Sequence, residues 1–377
     1  MKKHLLATSA IALGVAAAPA AAQDWNLDWG GFFNQHIAFT DVGGSAFNAG
    51  GGGAGLDFDG VQMLTNAEII FTPSITLDNG LTFGINVQME AANGGGGVDG
   101  IDESYMSISG DQFGRIDAGF ENSAGYKLMV GAPGVGSMAI NSPSASAFIP
   151  FHPGAGTNFR SAMISSYTEV AGNNDVARLT YYTPSFNGLT AGVSYAPSTD
   201  GNASNTTVDR NTGLNDVMDI GVNYSQSYGT TDITVAARYG TADNAATGAA
   251  GSDPETWGVG FQVGFSGLTV GASYAENDGV NTNGTGDESG YSFGVAYDMA
   301  GPWTFGAEGY IGEDEQGAID GEYEMYKLAA SRDVGPGVSW DVYVLAGETT
   351  AGSGTGVGVA GGKIDGTVIG TAINLSF

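Results

Sequence analysis

The segment Leu268-Thr-Val-Gly-Ala-Ser-Tyr274 determines which fold this chain can form. Its odd-spaced apolar side chains, Leu, Val, Ala and Tyr, share one face of an extended chain, and Thr, Gly and Ser share the other. Leu189-Thr-Ala-Gly-Val-Ser-Tyr195 repeats the pattern almost letter for letter, and Leu81-Thr-Phe-Gly-Ile-Asn-Val-Gln-Met89 repeats it again. Alternation with period two over this length predicts strands that have one apolar and one polar face.

Connections of two kinds separate these segments along the whole chain. Short turns such as Leu77-Asp-Asn-Gly80 and Ser266-Gly267 alternate with longer stretches rich in Gly, Asn, Asp and Thr. An even number of strands with tight turns at one end and long loops at the other is typical of outer-membrane barrels. We therefore predict an all-β fold, a transmembrane antiparallel β-barrel of about 16 strands. The predicted strands are 29–40, 62–77, 81–92, 102–109, 113–121, 176–184, 188–197, 216–226, 231–241, 255–265, 268–277, 288–299, 302–313, 321–332, 338–348 and 363–377.

The size of such a barrel decides which face meets lipid. Side chains cannot fill the interior of a closed barrel of about 16 strands, so water fills it. The apolar rows must then face outward and the Gly, Ser, Thr and Asn rows must enclose the water. Aromatic residues near the strand ends are predicted to form girdles at the two membrane interfaces, namely Tyr195, Tyr239, Tyr274, Tyr297, Trp257, Trp303 and Trp340.

The N-terminus has the pattern of a secretory signal. Met1-Lys-Lys-His gives a basic start, an apolar run follows from Leu5 to Ala18, and Ala20-Ala-Ala22 offers a small-residue cleavage site. We predict a signal peptide over residues 1–22 and a mature barrel over residues 23–377. A helical membrane protein is not expected, because no later run of about 20 apolar residues occurs.

The composition excludes several classes of partner. The formal net charge of −29 becomes about −31 when Lys2 and Lys3 leave with the signal. Nucleic acid is therefore not an expected partner, since phosphates require a basic surface. The chain has no Cys, so neither a disulfide framework nor a thiolate metal site can form.

One long tract, residues 122–160, departs from the rhythm of strands and turns. It is rich in Gly, Pro, Ser and Ala, but it also contains apolar side chains such as Met138, Ile140 and Phe148. A loop this long inside a compact domain is usually functional or disordered. We predict that it folds into the lumen and narrows the channel. The alternative is an outer loop with a packed apolar underside.

Several motifs resemble those of a known family. Phe113-Gly-Arg-Ile-Asp-Ala-Gly119, followed by Ala124-Gly-Tyr-Lys-Leu-Met129, is similar to the strand and inward third loop of alphaproteobacterial general porins. The 77–84 hairpin and the apolar last strand that ends at Phe377 also resemble this Gram-negative family. The resemblance implies a homotrimer in the bacterial outer membrane, surrounded by its lipid and lipopolysaccharide. It also implies that the barrel assembly machinery recognises the C-terminal strand.

Selectivity in a pore depends on its width and on the charges at its narrowest point. The alternation places a set of charged residues on the lumen face or in the long loop: Arg115, Asp117, Glu121, Lys127, Arg178, Arg238 and Lys327. For each arginine, the alternative is a structural ion pair with a neighbouring carboxylate, and both roles can hold together. Residues 122–159 contain no carboxylate, unlike the inward loop of the family. The acidic half of the constriction is then expected from Asp117, Glu121 or the wall, with Glu169 and Asp175 as further candidates.

Catalytic and cofactor motifs are missing from the sequence. His4 lies in the predicted signal, which leaves only His36 and His152, and neither a nucleophile elbow nor a zinc-protease motif occurs. We predict no enzymatic activity, no cofactor and no dedicated metal site. The acidic loops are oxygen-rich and suit calcium, or they form a solvated rim.

The predicted function is a water-filled channel through which small hydrophilic solutes and ions diffuse passively. The first alternative is a substrate-selective porin, for sugars or similar solutes, with Phe32, Tyr182 and Tyr343 as lumen-facing aromatic candidates. The second is a secreted acidic β-sandwich adhesin without a pore.

Overall fold

The fold is described from a computed structural model. It describes residues 24–48, 54–92, 100–150, 160–199, 207–245, 253–279, 286–315, 319–351 and 361–377. The predicted signal peptide, His152 and the end of the predicted inward loop at 151–159 lie outside these residues.

Antiparallel strands make up nearly all of the regular structure. Their bounds are β1 Trp29–Gly43, β2 Gly60–Phe71, β3 Ser74–Thr76, β4 Thr82–Glu90, β5 Ser104–Gly110, β6 Gly114–Glu121, β7 Val176–Tyr182, β8 Leu189–Ser198, β9 Leu214–Tyr228, β10 Thr231–Asn244, β11 Glu255–Phe265, β12 Leu268–Asp278, β13 Glu288–Asp298, β14 Trp303–Asp314, β15 Gly321–Gly335, β16 Val338–Thr350 and β17 Lys363–Ser376. One short helix, α1 Ala124–Leu128, and three 3-10 turns, at Ser45–Phe47, Ser144–Ala147 and Val170–Gly172, complete the described elements. No helix in the described ranges is long and apolar enough to cross a membrane.

The sheet closes on itself. Strand β1 pairs with β17 from Phe32 opposite Ser376 to Gly43 opposite Asp365, and the terminal residue Phe377 exchanges backbone hydrogen bonds with Gly31. Both β2 and β3 pair with β4, so together they form a single wall strand. The break falls at Pro73, which has no N–H for the ladder. The result is a closed barrel of sixteen wall strands, which confirms the predicted fold.

Exposure alternates along the strands in the predicted sense. On β1, Phe39 is 57% exposed, whereas its neighbours Ala38 and Thr40 are 2% and 0% exposed. The same apolar rows stay exposed on the other strands, with Val61, Met63, Leu328 and Ile369 as examples. A closed barrel that keeps its apolar side chains on the outside requires an apolar solvent around it. That solvent is the hydrocarbon of a membrane.

Aromatic side chains cluster near both ends of the outer surface. At the end with the short turns, the rings of Trp303 and Trp340 lie 5.8 Å apart. At the end with the long loops, Trp257 packs against Tyr274 at 5.2 Å, and the Tyr274 hydroxyl donates to Glu276 at 2.8 Å. Rings that combine an apolar body with a polar edge fit the two membrane interfaces.

The inner face differs from the expectation in one sector. From β14 to β17 it carries several large apolar side chains, and β1 adds Ala38 and Val42. They form one buried cluster with the segment that connects β6 to β7: Tyr310, Tyr323, Met325, Leu345, Ile364 and Val368 from the wall, and Met138, Ile140, Phe148, Ile149, Met163 and Ile164 from the connection. A dry inner wall is favourable here because the connection supplies an apolar partner surface.

Candidate functional site

The site is built around the segment between β6 and β7, residues 122–175, which we call the inward loop. It begins with α1, whose N-cap Ser123 accepts a hydrogen bond from the Tyr126 amide at 3.2 Å. Backbone amides at the start of α1 then bond to the wall, Ala124 to Ser194 Oγ at 2.8 Å and Gly125 to Asp219 Oδ1 at 2.7 Å. A side chain at position 125 would collide with Asp219, so a glycine is needed for this close approach.

The middle of the inward loop continues along the inner wall. The Leu128 and Gly131 carbonyls accept from Asn223 and Gln262, both at 2.9 Å, and the Ala132 amide donates to Ser292 Oγ at 3.0 Å. The small inward residues of the strands make room for it. A Cβ at Gly260 would collide with the backbone of Val130. The inward rows of Gly and Ser therefore form a contact surface for the backbone of the inward loop, in addition to lining the water-filled interior.

The far end of the loop is fixed at β15, β16 and β1. Ser137 donates to Asp341 Oδ2 through its amide at 2.9 Å and its hydroxyl at 3.1 Å, and its Oγ lies 3.3 Å from His36 Nε2. The Tyr323 hydroxyl donates to the Ile140 carbonyl at 2.8 Å. The returning segment is held at Ala162, whose amide donates to Asn277 Oδ1 at 2.6 Å. The inward loop thus contacts inward-facing side chains on strands from β8 to β16 and on β1.

Three of the predicted lumen charges lie underneath this loop. Arg178 is 3.7 Å from Glu169, Arg238 pairs with Asp219 and donates to the Thr168 carbonyl, and Lys327 pairs with Glu308 and donates to the Met138 carbonyl. The alternation assigned all three to the inner face, and the structure has them there. However, they are buried, so they hold the loop to the wall and do not contact the water column.

The other four predicted charges lie on the side of the barrel that the loop leaves open. Arg115 is 45% exposed, and its Nε lies 2.7 Å from Asp117 Oδ1. Lys127 is 24% exposed, 2.7 Å from Glu121 and 3.8 Å from Glu103. Asp117 and Glu121 are buried beneath these cations. Of the seven predicted charges, the cationic groups available to a passing solute are therefore Arg115 and Lys127, each partly neutralised by its partner.

The acidic groups on the open side come from the wall and from loop ends, not from the middle of the inward loop. One carboxylate oxygen each from Glu68, Glu90 and Asp102 lies within 4.8 Å of the other two. Glu103 accepts from Asn122 at 2.6 Å, and the same amide donates to Asp175 at 3.1 Å. We call these five carboxylates, Glu68, Glu90, Asp102, Glu103 and Asp175, the acidic group.

One member of the acidic group, Asp175, has a raised pKa. Burial, and then the charges of Asp102 and Glu103, raise the pKa of Asp175 to about 7. The sequence suggested Asp175 as a candidate, but it did not show that five carboxylates would meet. Glu68 and Glu90 are paired across β2 and β4, and register between strands is the signal that would have found them.

The predicted aromatic candidates have different surroundings. Tyr343 is buried, and its hydroxyl lies 3.2 Å from His36 Nδ1, so no solute reaches it. Tyr182 and Phe32 are half-buried on the inner face. Two further tyrosines, Tyr126 and Tyr167, lie in the inward loop with their ring centroids 6.0 Å apart, and no pattern in the sequence predicted this pair.

A closed sixteen-stranded barrel with outward apolar rows and a loop fastened across its inner wall defines a channel of the porin class. The family model for Gram-negative porins matches residues 7–352, and the chain belongs to this family. The resemblance to Gram-negative porins seen in the sequence is thereby confirmed. The protein is an outer-membrane porin, located in the outer membrane of a Gram-negative bacterium.

Solved structures show the same fold at low sequence identity. An anion-selective porin from Comamonas acidovorans aligns with a TM-score of 0.60 and 15% identity over 94% of this chain and 100% of that one. OmpT of Vibrio cholerae, in its trimer form, has a TM-score of 0.59 and 11% identity over 94% and 99%. The outer membrane channel DcaP of Acinetobacter baumannii has a TM-score of 0.57 and 12% identity over 95% and 99%. A search of curated proteins finds no match.

Proposed function

We propose that the porin is a passive diffusion channel for small hydrophilic solutes and ions, with a modest preference for cations. The observation that carries the proposal is the path of the inward loop, which hydrogen-bonds to inner-wall side chains from Ser194 on β8 to Asp341 on β16. A loop held in this way reduces the width of the water column on one side only. The solute then passes Arg115, Lys127 and the acidic group.

The cation preference follows from the balance of these charges. Arg115 and Lys127 each lie next to a buried carboxylate, whereas the acidic group brings five carboxylates together near two cations, Lys127 and Arg160. A net negative constriction concentrates cations and repels anions. The Comamonas porin is named for anion selectivity, which at 15% identity says nothing about the charges of this chain.

Reconstitution into planar bilayers tests the proposal. We expect stable single-channel conductance, and in a KCl gradient we expect a reversal potential of the sign that cation preference gives. Replacement of Glu68 and Glu90 by Gln should move the reversal potential toward zero. A protein that inserts but carries no current would refute the channel, whereas a reversal potential of the opposite sign would refute only the cation preference.

We also propose that the porin is a homotrimer, that residues 1–22 are removed on export, and that the barrel assembly machinery recognises the last strand. The trimer form of the structurally similar Vibrio protein supports the first proposal, and the alternating strand that ends at Phe377 supports the last. We further propose that the acidic loops contact lipopolysaccharide and bind calcium. Family membership favours a channel over an enzyme. Chemical cross-linking in intact outer membranes tests the trimer, and bands at the monomer mass alone would contradict it.

A further inference from the structure

A polar pocket of about 300 Å³ lies on the inner wall at the end of the barrel with the short turns. It is formed where β15, β16, β17 and β1 meet, and its lining includes Phe32, Asn34, Asp333, Ser339 and Asn374. Asn34 shares the inward row of β1 with the buried His36, and Asn374 shares the inward row of β17 with the buried Ala372. The pocket therefore opens to the lumen rather than to lipid.

The polar groups of this pocket have unused hydrogen-bonding capacity. Asn374 donates to Ser339 Oγ at 3.1 Å and to Asp341 Oδ2 at 2.6 Å, but its own Oδ1 is buried without a partner. Asn34 is half-buried and Asp333 is exposed, and within the part of the chain that the structure describes neither side chain makes a hydrogen bond, so both are open to a solute. An unused buried acceptor costs free energy, so the Asn374 oxygen favours a ligand that brings hydroxyl or amide donors.

We propose that this pocket binds a neutral sugar of monosaccharide size. Asn34 and Asn374 offer amide donors and acceptors, Asp333 offers two acceptor oxygens for neighbouring hydroxyls, and Phe32 offers an apolar ring for a face of C–H groups. No basic side chain lines the pocket, so anionic solutes lack a partner there. A single carboxylate beside an aromatic ring is a poor site for a small hydrated cation, which requires several oxygens.

The pocket also adjoins the attachment of the inward loop. The oxygen of Asp341 that accepts from Asn374 also accepts from Ser137. The pocket thus lies beyond the constriction, on the side at which a solute would leave the narrow part of the channel. A weak site in this position would retain a sugar that has already passed the loop.

Sugar-induced current fluctuations test the inference, which rests on the proposed channel function. Glucose is the probe, and polyethylene glycol of the same hydrodynamic radius is the control for simple occlusion. We expect glucose to interrupt the current reversibly and the polymer to do so far less. Because one lost hydrogen bond costs about 0.5–1.5 kcal/mol, Asn34→Ala and Asp333→Asn should each weaken glucose binding by roughly 2- to 12-fold. Asp232→Asn is the matched control, since it removes a carboxylate from the inward row of β10, near the same end of the barrel.

A second readout separates failure of the inference from failure of the channel. Saturation-transfer NMR measures glucose binding to the detergent-solubilised protein without any current. Binding by NMR in a protein that carries no current would refute the channel but support the pocket. Current without a difference between glucose and polymer, or with equal glucose binding in wild type and both pocket variants, would overturn the pocket.

Discussion

At the scale of single residues, charge and burial work together to fasten the inward loop. Arg238 has no exposed side chain and pairs with Asp219, which in turn accepts from the Gly125 amide at the start of the loop. Removing one member of a buried ion pair leaves the other charge unpaired in a poorly solvated site, and this costs about 3–5 kcal/mol. Loss of Arg238 alone is therefore expected to destabilise the barrel and the loop together.

We predict that Arg238→Met lowers the free energy of unfolding by about 3 kcal/mol and makes the single-channel current noisier. Both effects are measured on refolded protein, by denaturant unfolding and in planar bilayers. The double variant Asp219→Asn with Arg238→Met should recover part of the stability, because no buried charge is left unpaired. Arg210→Gln is the control, since the Arg210–Asp216 pair is exposed at 54% and 37% and should contribute about 1 kcal/mol or less. Equal losses in Arg238→Met and Arg210→Gln would contradict this role of burial.

Asp175 is expected to make the cation preference of the channel depend on pH. Its raised pKa of about 7 results first from burial and then from Asp102 and Glu103, while Arg160 acts in the opposite direction. The carboxyl group is neutral near pH 5 and ionised near pH 9, so cation preference should increase as the pH rises through about 7. The stability that the neutral group contributes is full below its ordinary pKa of 3.8, falls as the pH rises above that value, and is lost once the pH has passed the folded pKa of about 7. Reversal potentials measured from pH 5 to 9 check this, and Asp175→Asn should flatten that part of the curve. An unchanged curve in the variant would assign the titration to another group.

Sequence alternation predicted that the charged residues of the strands face the inside of the barrel, but it did not predict which of them are buried. Arg115 and Arg178 follow the same inward parity, yet the first is partly exposed and the second is covered. The difference depends on which part of a distant loop lies over each strand. Such a contact between remote segments leaves no periodic signal in the sequence of either one.

At the scale of elements, the inward loop and the inner wall are complementary surfaces. Small residues on the inner face of β11 to β13 admit the backbone of the loop, and the large apolar residues from β14 to β1 pack against its side chains. The strands were predictable to within a few residues because each carries its own alternation and its own turn. The apolar inner sector was not, because an inward tyrosine or leucine is favourable only when another segment covers it.

We predict that Gly260→Ala displaces the inward loop and raises the single-channel conductance. The added methyl group would collide with the Val130 carbonyl, and overpacking of a close contact costs about 1–3 kcal/mol. Gly264→Ala, on the same face of the same strand, is the control, because its nearest neighbour would be the Asp232 Cβ at 3.6 Å. A conductance that rises equally in both variants, or in neither, would mean that the loop is not held at Val130.

At the scale of the whole molecule, closure and orientation follow from one physical requirement. Hydrocarbon offers no hydrogen bonds, so a spanning sheet must pair both of its edges, as β1 and β17 do over Phe32–Gly43. Once closed at this size, the barrel can expose its apolar rows only to lipid. The composition agrees with this, since 42% hydrophobic residues are distributed in alternation rather than in long runs.

The most direct test of this orientation is a cysteine accessibility scan along β4, in a chain that has no Cys of its own. Single cysteines at the inward positions Asn86 and Gln88 should react with a charged, water-soluble thiol reagent and change the channel current. Fluorophores on cysteines at the outward positions Ile85 and Val87 should instead be quenched by brominated lipid. Reaction with the water-soluble reagent at positions 85 and 87, combined with lipid quenching at 86 and 88, would contradict the account.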